Sequence, residues 1–471
     1  MSDIASPADE GKEVTRGGSG RYAWYVFYIM FFINFLNYMD RYVLTGAANI
    51  IAHELHFGVD GIGYLATAFL LVYTLSTIPL GVWADRSKRK NVVAICIAVW
   101  SAITALTALA NSFLTLFITR MILGIGEAGY YPAGTALLSD YFSRTKRARI
   151  MSWWSAGSLV GLMVGFVVGG VVASYNWRLA FLFTGVPGLI LAYLAWRLRE
   201  PRRNEADEAS AELDPHSLEN ELDVEEVHAV VVPKNVVSQF GTLLRIKTVS
   251  VLILMQIFAF FVLGANVVYL PTYLQQKDTF GLSSSVAGLF SGGVVVVAGI
   301  AGLLVGGYLS DLLNRRYPGA RVLVCGIGFL LGVPSFILAV TIHSLPIFTV
   351  FFILTVLLLN VYSGPSTAAT QDVVPSALRA SAVAISLLIA HLLGDAFSPL
   401  LVGVLAQHFD PTHGQHFAQN LAGHDLSLAL LITCPPALLI AGLIGIFGAR
   451  WMKGDIAAAV RADQLAKEAA A

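Results

Sequence analysis

The sequence predicts an all-α membrane protein. It has twelve transmembrane helices in two pseudo-symmetric six-helix bundles, with both termini cytoplasmic. Three observations carry this. The chain is far too apolar and too weakly charged for a soluble protein. Its apolar segments number twelve, split six and six by one hydrophilic stretch. Short charged motifs then recur in the same place in each half.

Of 471 residues 56% are hydrophobic and only 13% charged, and the mean hydropathy is +0.71. A soluble chain of this size carries about 25% charge. Net charge is zero, so no nucleic acid or other bulk polyanion is expected as a partner. Residues 1–20 are polar and glycine-rich, read as a disordered tail and not as a cleavable signal. The first bundle covers 21–198, with apolar segments at 22–51, 60–84, 91–110, 113–139, 149–174 and 179–198. The stretch 199–245 holds eleven acidic and two basic residues between Glu200 and Glu226, so it builds no core and reads as a cytoplasmic linker. The second bundle covers 246–452, with segments at 246–275, 285–310, 321–342, 345–370, 379–407 and 427–452, and 453–471 is a C-terminal tail. About 20 residues at 1.5 Å each cross the hydrocarbon core, and every segment meets or approaches that length.

Lysine and arginine fix the orientation. Of the 30, only Arg178 and Lys277 fall in loops on one side, and Arg41 and Arg120 lie within spans. The remaining 26 share a side with both termini and the linker, which the positive-inside rule makes cytoplasmic. Cys96, Cys325 and Cys434 all fall in apolar segments, so buried thiols are expected, with no disulfide, no metal site and no cofactor.

The halves repeat. Gly81-Val-Trp-Ala-Asp85-Arg86-Ser-Lys-Arg89-Lys90 ends the second span, and Gly307-Tyr-Leu-Ser-Asp311-Leu-Leu-Asn-Arg315-Arg316 ends the eighth, offset by 226. Asp140 precedes Arg147 by seven residues after span four, as Asp372 precedes Arg379 after span ten. The same offset of 226 carries Asp40 to Asn266. A duplicated six-helix unit is the mark of a transporter whose site lies between its halves.

The repeat, with its GVWADRSKRK loop, resembles the major facilitator superfamily over almost the whole chain. Within it Asn37-Tyr-Met-Asp40-Arg41-Tyr42, Gly124-Ile-Gly-Glu127-Ala-Gly-Tyr130 and His391-Leu-Leu-Gly394-Asp395-Ala-Phe-Ser398-Pro399 resemble the spinster family of lysolipid and sphingosine phosphate transporters. The first two motifs also resemble the superfamily's anion–cation symporters, which carry sugar acids. Either resemblance implies two bundles around a cavity that opens alternately to each side.

Asp40 and Arg41 lie near the middle of span one, where a charge costs a few kcal/mol unless something receives it. Arg120 and Glu127, seven residues apart, share one face of span four. Asp40 and Glu127 are the candidate proton carriers. Arg41 and Arg120 are candidates for an anionic headgroup, since a guanidinium fork matches phosphate or carboxylate. The alternative is a static network that locks the first bundle together. Asn266 and Asn360 add polarity to spans seven and ten, and with Tyr130 they complete the expected substrate-binding set. The resemblance implies a cytoplasmic gate of Asp85, Arg86, Arg89, Asp311 and Arg147. His391 and Asp395 are one helical turn apart and are expected as a polar pair.

Apart from Lys247 at the end of span seven, spans seven and ten hold no acid or base, so the second half of the cavity reads as mild and apolar against a charged first half. An amphiphile with a charged head and an apolar body fits that asymmetry. The expected function is proton-coupled secondary transport of a lysophospholipid or sphingosine-phosphate-like anion, by a monomer in the cell's inner (plasma) membrane. A symporter of small organic anions such as sugar acids is the alternative. From another class, a non-transporting sensor or receptor is opposed by tails of about 20 residues each. No nucleophile stands with its base, so an enzyme is not expected.

Overall fold

The computed structural model describes residues 19–202, 206, 236–317, 319–375, 378–410 and 422–470. Every regular element among them is helical. Ten helices are long and apolar enough to cross a bilayer. One of these, Arg149–Trp196, breaks at Asn176, whose backbone is extended (φ −162°, ψ 113°), and so supplies spans five and six. Asn176 Oδ1 accepts from Arg178 N at 2.9 Å, capping the helix that restarts there. Span one, Ser19–Glu54, is 36 residues long and completes the twelve.

Local chemistry places the breaks. Ser112 and Thr115 form a reciprocal capping box at the start of span four. That span is broken at Gly129, where a Cβ would lie 2.8 Å from Cys96 Sγ, and resumes as Tyr130–Tyr141. Span ten runs as Leu345–Asn360 and Ser363–Val373. Span eleven passes through a π-helical turn, His391–Asp395, between Arg379–Ala390 and Ser398–Phe409. A ten-residue helix, Val236–Arg245, precedes span seven, and the segment expected as a C-terminal tail is a helix, Met452–Ala470. Most of the expected linker, and residues 1–18 of the expected N-terminal tail, lie outside the described residues.

Each half has its own apolar core. Trp100, Trp154 and Phe181 are among the largest buried side chains of the first half, Phe329, Phe336 and Phe348 among those of the second. Cys96, Cys325 and Cys434 are buried. The halves meet at the ends opposite the linker. There span five crosses span eight glycine to glycine, with Gly170 and Gly288 so close that a Cβ on Gly288 would sit 2.4 Å from Phe166 O. Span two crosses span eleven closely as well, where a Cβ on Gly63 would meet Pro399 O at 2.4 Å and one on Gly403 would meet Asp60 Cα at 3.1 Å. The buried Tyr269 hydroxyl lies inside that second crossing and donates to Pro399 O at 2.7 Å and Val59 O at 3.3 Å, tying the halves together. On the linker side, the inner helix of span four packs on first-half helices and the inner helix of span ten on second-half ones. The cleft between the halves is therefore open toward the linker, the cytoplasmic side by the charge rule.

Candidate functional site

Adjacent helical residues point about 100° apart, so Asp40 and Arg41 leave span one on different faces. Arg41 takes the cleft side. Its Nη2 donates to Glu127 Oε2 at 2.8 Å, an ion pair in which the arginine side chain keeps 15% of its surface and the glutamate none. Three rings enclose the guanidinium: Tyr73 at 4.8 Å, Phe69 at 5.0 Å and Tyr38 at 5.3 Å from its central carbon. Arg41 Nε and Glu127 Oε1 are buried without hydrogen-bond partners.

Asp40 turns the other way, into the interior of the first bundle. Thr104 Oγ1 of span three donates to its Oδ2 over a long 3.4 Å, and Oδ1 has no partner. Thr184 of span six, Glu127 and Arg120 are its other polar neighbours. Arg120 is equally buried. Its guanidinium lies 5.1 Å from the Phe181 ring, and Nε and Nη2 have no acceptor. Of the four charges expected on one cavity wall, Arg41 and Glu127 form the pair at the cleft. Asp40 and Arg120 sit behind it, each buried without an ion pair among the described residues.

Beside this cluster lies a cavity of about 310 Å³ between spans five, seven, eight and ten. Its wall is almost wholly apolar, with Leu162, Leu263, Val267 and Phe352 among the lining. Asn266, Asn360 and Ser363 also line it. Asn266 Nδ2 donates to Val262 O at 2.7 Å and Asn360 Nδ2 to Val356 O at 2.8 Å, each one turn back on its own helix. The amide nitrogens are thereby satisfied locally. Tyr38 and Tyr42 of span one pack against the cluster of Leu162, Phe166 and Val267, of which Leu162 and Val267 line the cavity. Tyr38, which covers the Arg41 guanidinium, and Tyr42, which packs on Tyr38, thus link the caged arginine to the apolar wall of the cavity.

His391 and Asp395 do pair, Nδ1 to Oδ2 at 2.9 Å, within the π turn of span eleven. Asp395 lies near Tyr42 of span one and Tyr362 of span ten. The second half therefore does present one acid to the cleft, from a span other than seven and ten. Tyr130, expected at the substrate, is placed elsewhere. It is 1% exposed in the first-half core, edge-on to Trp100, with its hydroxyl donating to Met30 O at 3.2 Å.

The linker-side charges pair within their own halves. Arg89 at the start of span three pairs with Asp140 at the end of span four. Arg321 at the start of span nine pairs with Asp372 at the end of span ten and reaches Asp311 at 3.3 Å. Arg147 donates to Ser139 O at 2.8 Å, and Arg86 is exposed. The Asp85 side chain lies outside the described residues. Sequence reasoning missed Arg321. The signal was available: Asp140 and Asp372 are offset by 232, and the same step from Arg89 lands on Arg321. It also missed Phe69 and Tyr73, four residues apart on one face of span two and so able to close on one guanidinium.

Two pseudo-symmetric six-helix halves, joined at one end around a charged pair and an apolar cavity, are the architecture of a secondary transporter. Residues 30–399 match the Major Facilitator Superfamily, and the chain belongs to it. It is a transporter and not an enzyme. Within the superfamily it is related to the spinster proteins. It is 27% identical to protein spinster of Drosophila melanogaster over 393 residues, 82% of this chain, and spans 62% of that protein's length. It is 26% identical to the sphingosine-1-phosphate transporter of Danio rerio over 449 residues, 91% of this chain and 84% of that protein. Among solved structures it resembles a bacterial homologue of the human lysosomal transporter spinster, in an inward-facing and occupied conformation. The TM-score is 0.74 and the identity 25%, covering 93% of this chain and 97% of that one.

Proposed function

We propose that this protein moves an anionic amphiphile, a lysophospholipid or sphingosine-phosphate-like lipid, across the cell's inner membrane by proton-coupled alternating access. The observation that carries this reading is the contiguity of the Arg41 cage with the apolar cavity. A guanidinium suits phosphate, a cavity of this size and polarity suits an alkyl chain, and Tyr38 and Tyr42 join the two. The sphingosine-1-phosphate transporter among the relatives supports the same cargo class.

The wiring supports the following steps. In the inward-open state Glu127 occupies Arg41 as an internal counter-ion. An incoming headgroup competes with it for the guanidinium. A proton on Glu127 releases the guanidinium to the anion, and loss of that proton restores the internal pair and expels the cargo. Asp40, behind the pair and next to Arg120, is the second proton carrier. Asn266 and Asn360 offer their amide oxygens to the cavity. The linker-side residues Asp85, Arg86, Arg89, Asp311 and Arg147 are the parts from which a closed cytoplasmic gate is built.

The test is uptake into proteoliposomes under an imposed proton gradient, with lysophosphatidylglycerol and gluconate compared side by side. Gradient-driven lysolipid uptake that loses its dependence in Glu127→Gln and Asp40→Asn is the expected result. Uptake of gluconate alone would replace the cargo. Full gradient dependence in both variants would reduce the charge cluster to a structural network.

A further inference from the structure

Nothing in the transport scheme above explains why three aromatic rings surround Arg41. We infer that Tyr38, Phe69 and Tyr73 are positioning residues that hold the Arg41 guanidinium ready for the anion once Glu127 lets go; this rests on the reading of Arg41 as the headgroup cation. An arginine side chain is long and flexible, and with its one ion pair broken it would be free to swing. The enclosure prevents that. Tyr73, Phe69 and Tyr38 lie 4.8, 5.0 and 5.3 Å from the guanidinium carbon, all within the reach of a cation–π interaction. Phe69 and Tyr73 stack on each other, with centroids 5.9 Å apart and planes 25° apart, so their own positions are fixed. Span four backs their helix closely, since a Cβ on its Gly124 would meet Phe69 O at 2.7 Å and Tyr73 N at 3.0 Å.

Hydrogen-bond chemistry points the same way. A guanidinium carries five donors and no acceptor. Arg41 spends one on Glu127 and another faces the Tyr73 hydroxyl, while its Nε is buried with no partner. Ring faces take the place that acceptors would otherwise fill. A cation held this way is attracted to the rings without being neutralised by them, so its charge remains available to a ligand. The cage also selects the residue. Lysine would keep the charge but lose the planar group that stacks and the fork that matches phosphate. A pre-ordered binding group costs the ligand less ordering entropy, and the gain appears in affinity.

Concentration dependence of uptake tests this, with lysophosphatidylglycerol and gluconate as alternative probes. The variants are Phe69→Leu, Tyr73→Leu and Tyr73→Phe, checked for equal thermal stability in detergent. Removing a ring raises KM for the transported anion about three- to tenfold, with kcat changed less than twofold, from the strength of one partly desolvated cation–π contact. Tyr73→Phe keeps the ring and restores the wild-type KM. Arg41→Lys raises KM at least as much as either leucine variant. An unchanged KM in both leucine variants, or a fall confined to kcat, overturns the positioning role. Wild-type uptake of gluconate but not the lysolipid overturns the cargo while the KM comparison on gluconate still decides the cage. Uptake of neither anion overturns both.

Discussion

Glu127 and Asp40 are each 1% exposed, yet replacing them has very different consequences. Glu127 is the counter-ion of Arg41 at 2.8 Å. Glu127→Gln keeps the shape and one acceptor but leaves the guanidinium's charge uncompensated in the middle of the protein. Breaking a buried pair from one side costs roughly 3–5 kcal/mol, and the retained acceptor places this variant near about 3 kcal/mol. Asp40 has no ion pair among the described residues and only threonine hydroxyls as partners, Thr104 at 3.4 Å and Thr184. A bond of that length is worth less than a typical one, so Asp40→Asn costs under about 1 kcal/mol. The assay is reversible unfolding in mixed micelles, with SDS as denaturant, on both variants and on Glu127→Gln combined with Arg41→Met. Removing the orphaned charge recovers much of the loss, giving a coupling energy of at least about 2 kcal/mol. Equal costs for the two carboxylates would refute the reasoning, as would strict additivity in the double variant. Either would mean that Arg41 is held by something other than Glu127.

Three further predictions concern the ends of the spans. Gly288→Leu drives a side chain into Phe166 O at the span five–span eight crossing, so it pries the outer ends apart; spin labels at Tyr175 and Lys277 then show a longer separation, and an unchanged distance distribution would remove the glycine crossing as the outer seal. Tyr269→Phe deletes the hydroxyl that links Val59 and Pro399, shifting the same equilibrium outward by about three- to tenfold; its failure to move the label distances would leave the tyrosine a packing role only. Glu54, at the outer end of span one, accepts from Arg178 at 2.5 Å and from Trp177 Nε1 at 2.7 Å, and the Arg178 hydrogen bond foremost holds its carboxyl below the ordinary value of 4.5. A lowered value means the stabilisation is full above 4.5 and fades as the pH falls through the lowered value. The exposed pair is worth only some tenths of a kcal/mol, so a small gap in melting midpoint between wild type and Glu54→Gln at pH 7 closes in acid; a gap that widens in acid contradicts the assignment.

Much of the architecture was legible in the residues. Twelve apolar runs, a hydrophilic divider and the skewed lysines and arginines give fold and orientation, because bilayer thickness sets span length and leaves few alternatives. The charged residues of spans one and four stood out because hydrocarbon tolerates so few. What they face was not legible. A soluble helix announces its buried face by an apolar stripe, but a membrane span is apolar all round and its rotation leaves little trace. The 100° step said that Asp40 and Arg41 diverge. It did not say that Arg41 takes the cleft and Asp40 the bundle interior, a choice made by where Glu127, Thr104 and Thr184 stand. Arg120 lies under Phe181, and Tyr130 in the core, for the same reason: their partners come from spans far away in sequence. The π turn at His391–Asp395 left no local signature either, since backbone register inside a continuous apolar run has no side-chain marker.

The central claim is that one ligand bridges the caged arginine and the apolar cavity. The most direct measurement is a cryo-EM structure of the protein with lysophosphatidylglycerol. The expected density has its phosphate on Arg41, Glu127 displaced from the guanidinium, and the acyl chain running past Tyr38 and Tyr42 into the space between spans five, seven, eight and ten. A headgroup bound away from Arg41 with the Arg41–Glu127 pair intact, or a chain lying outside that cavity, would contradict it.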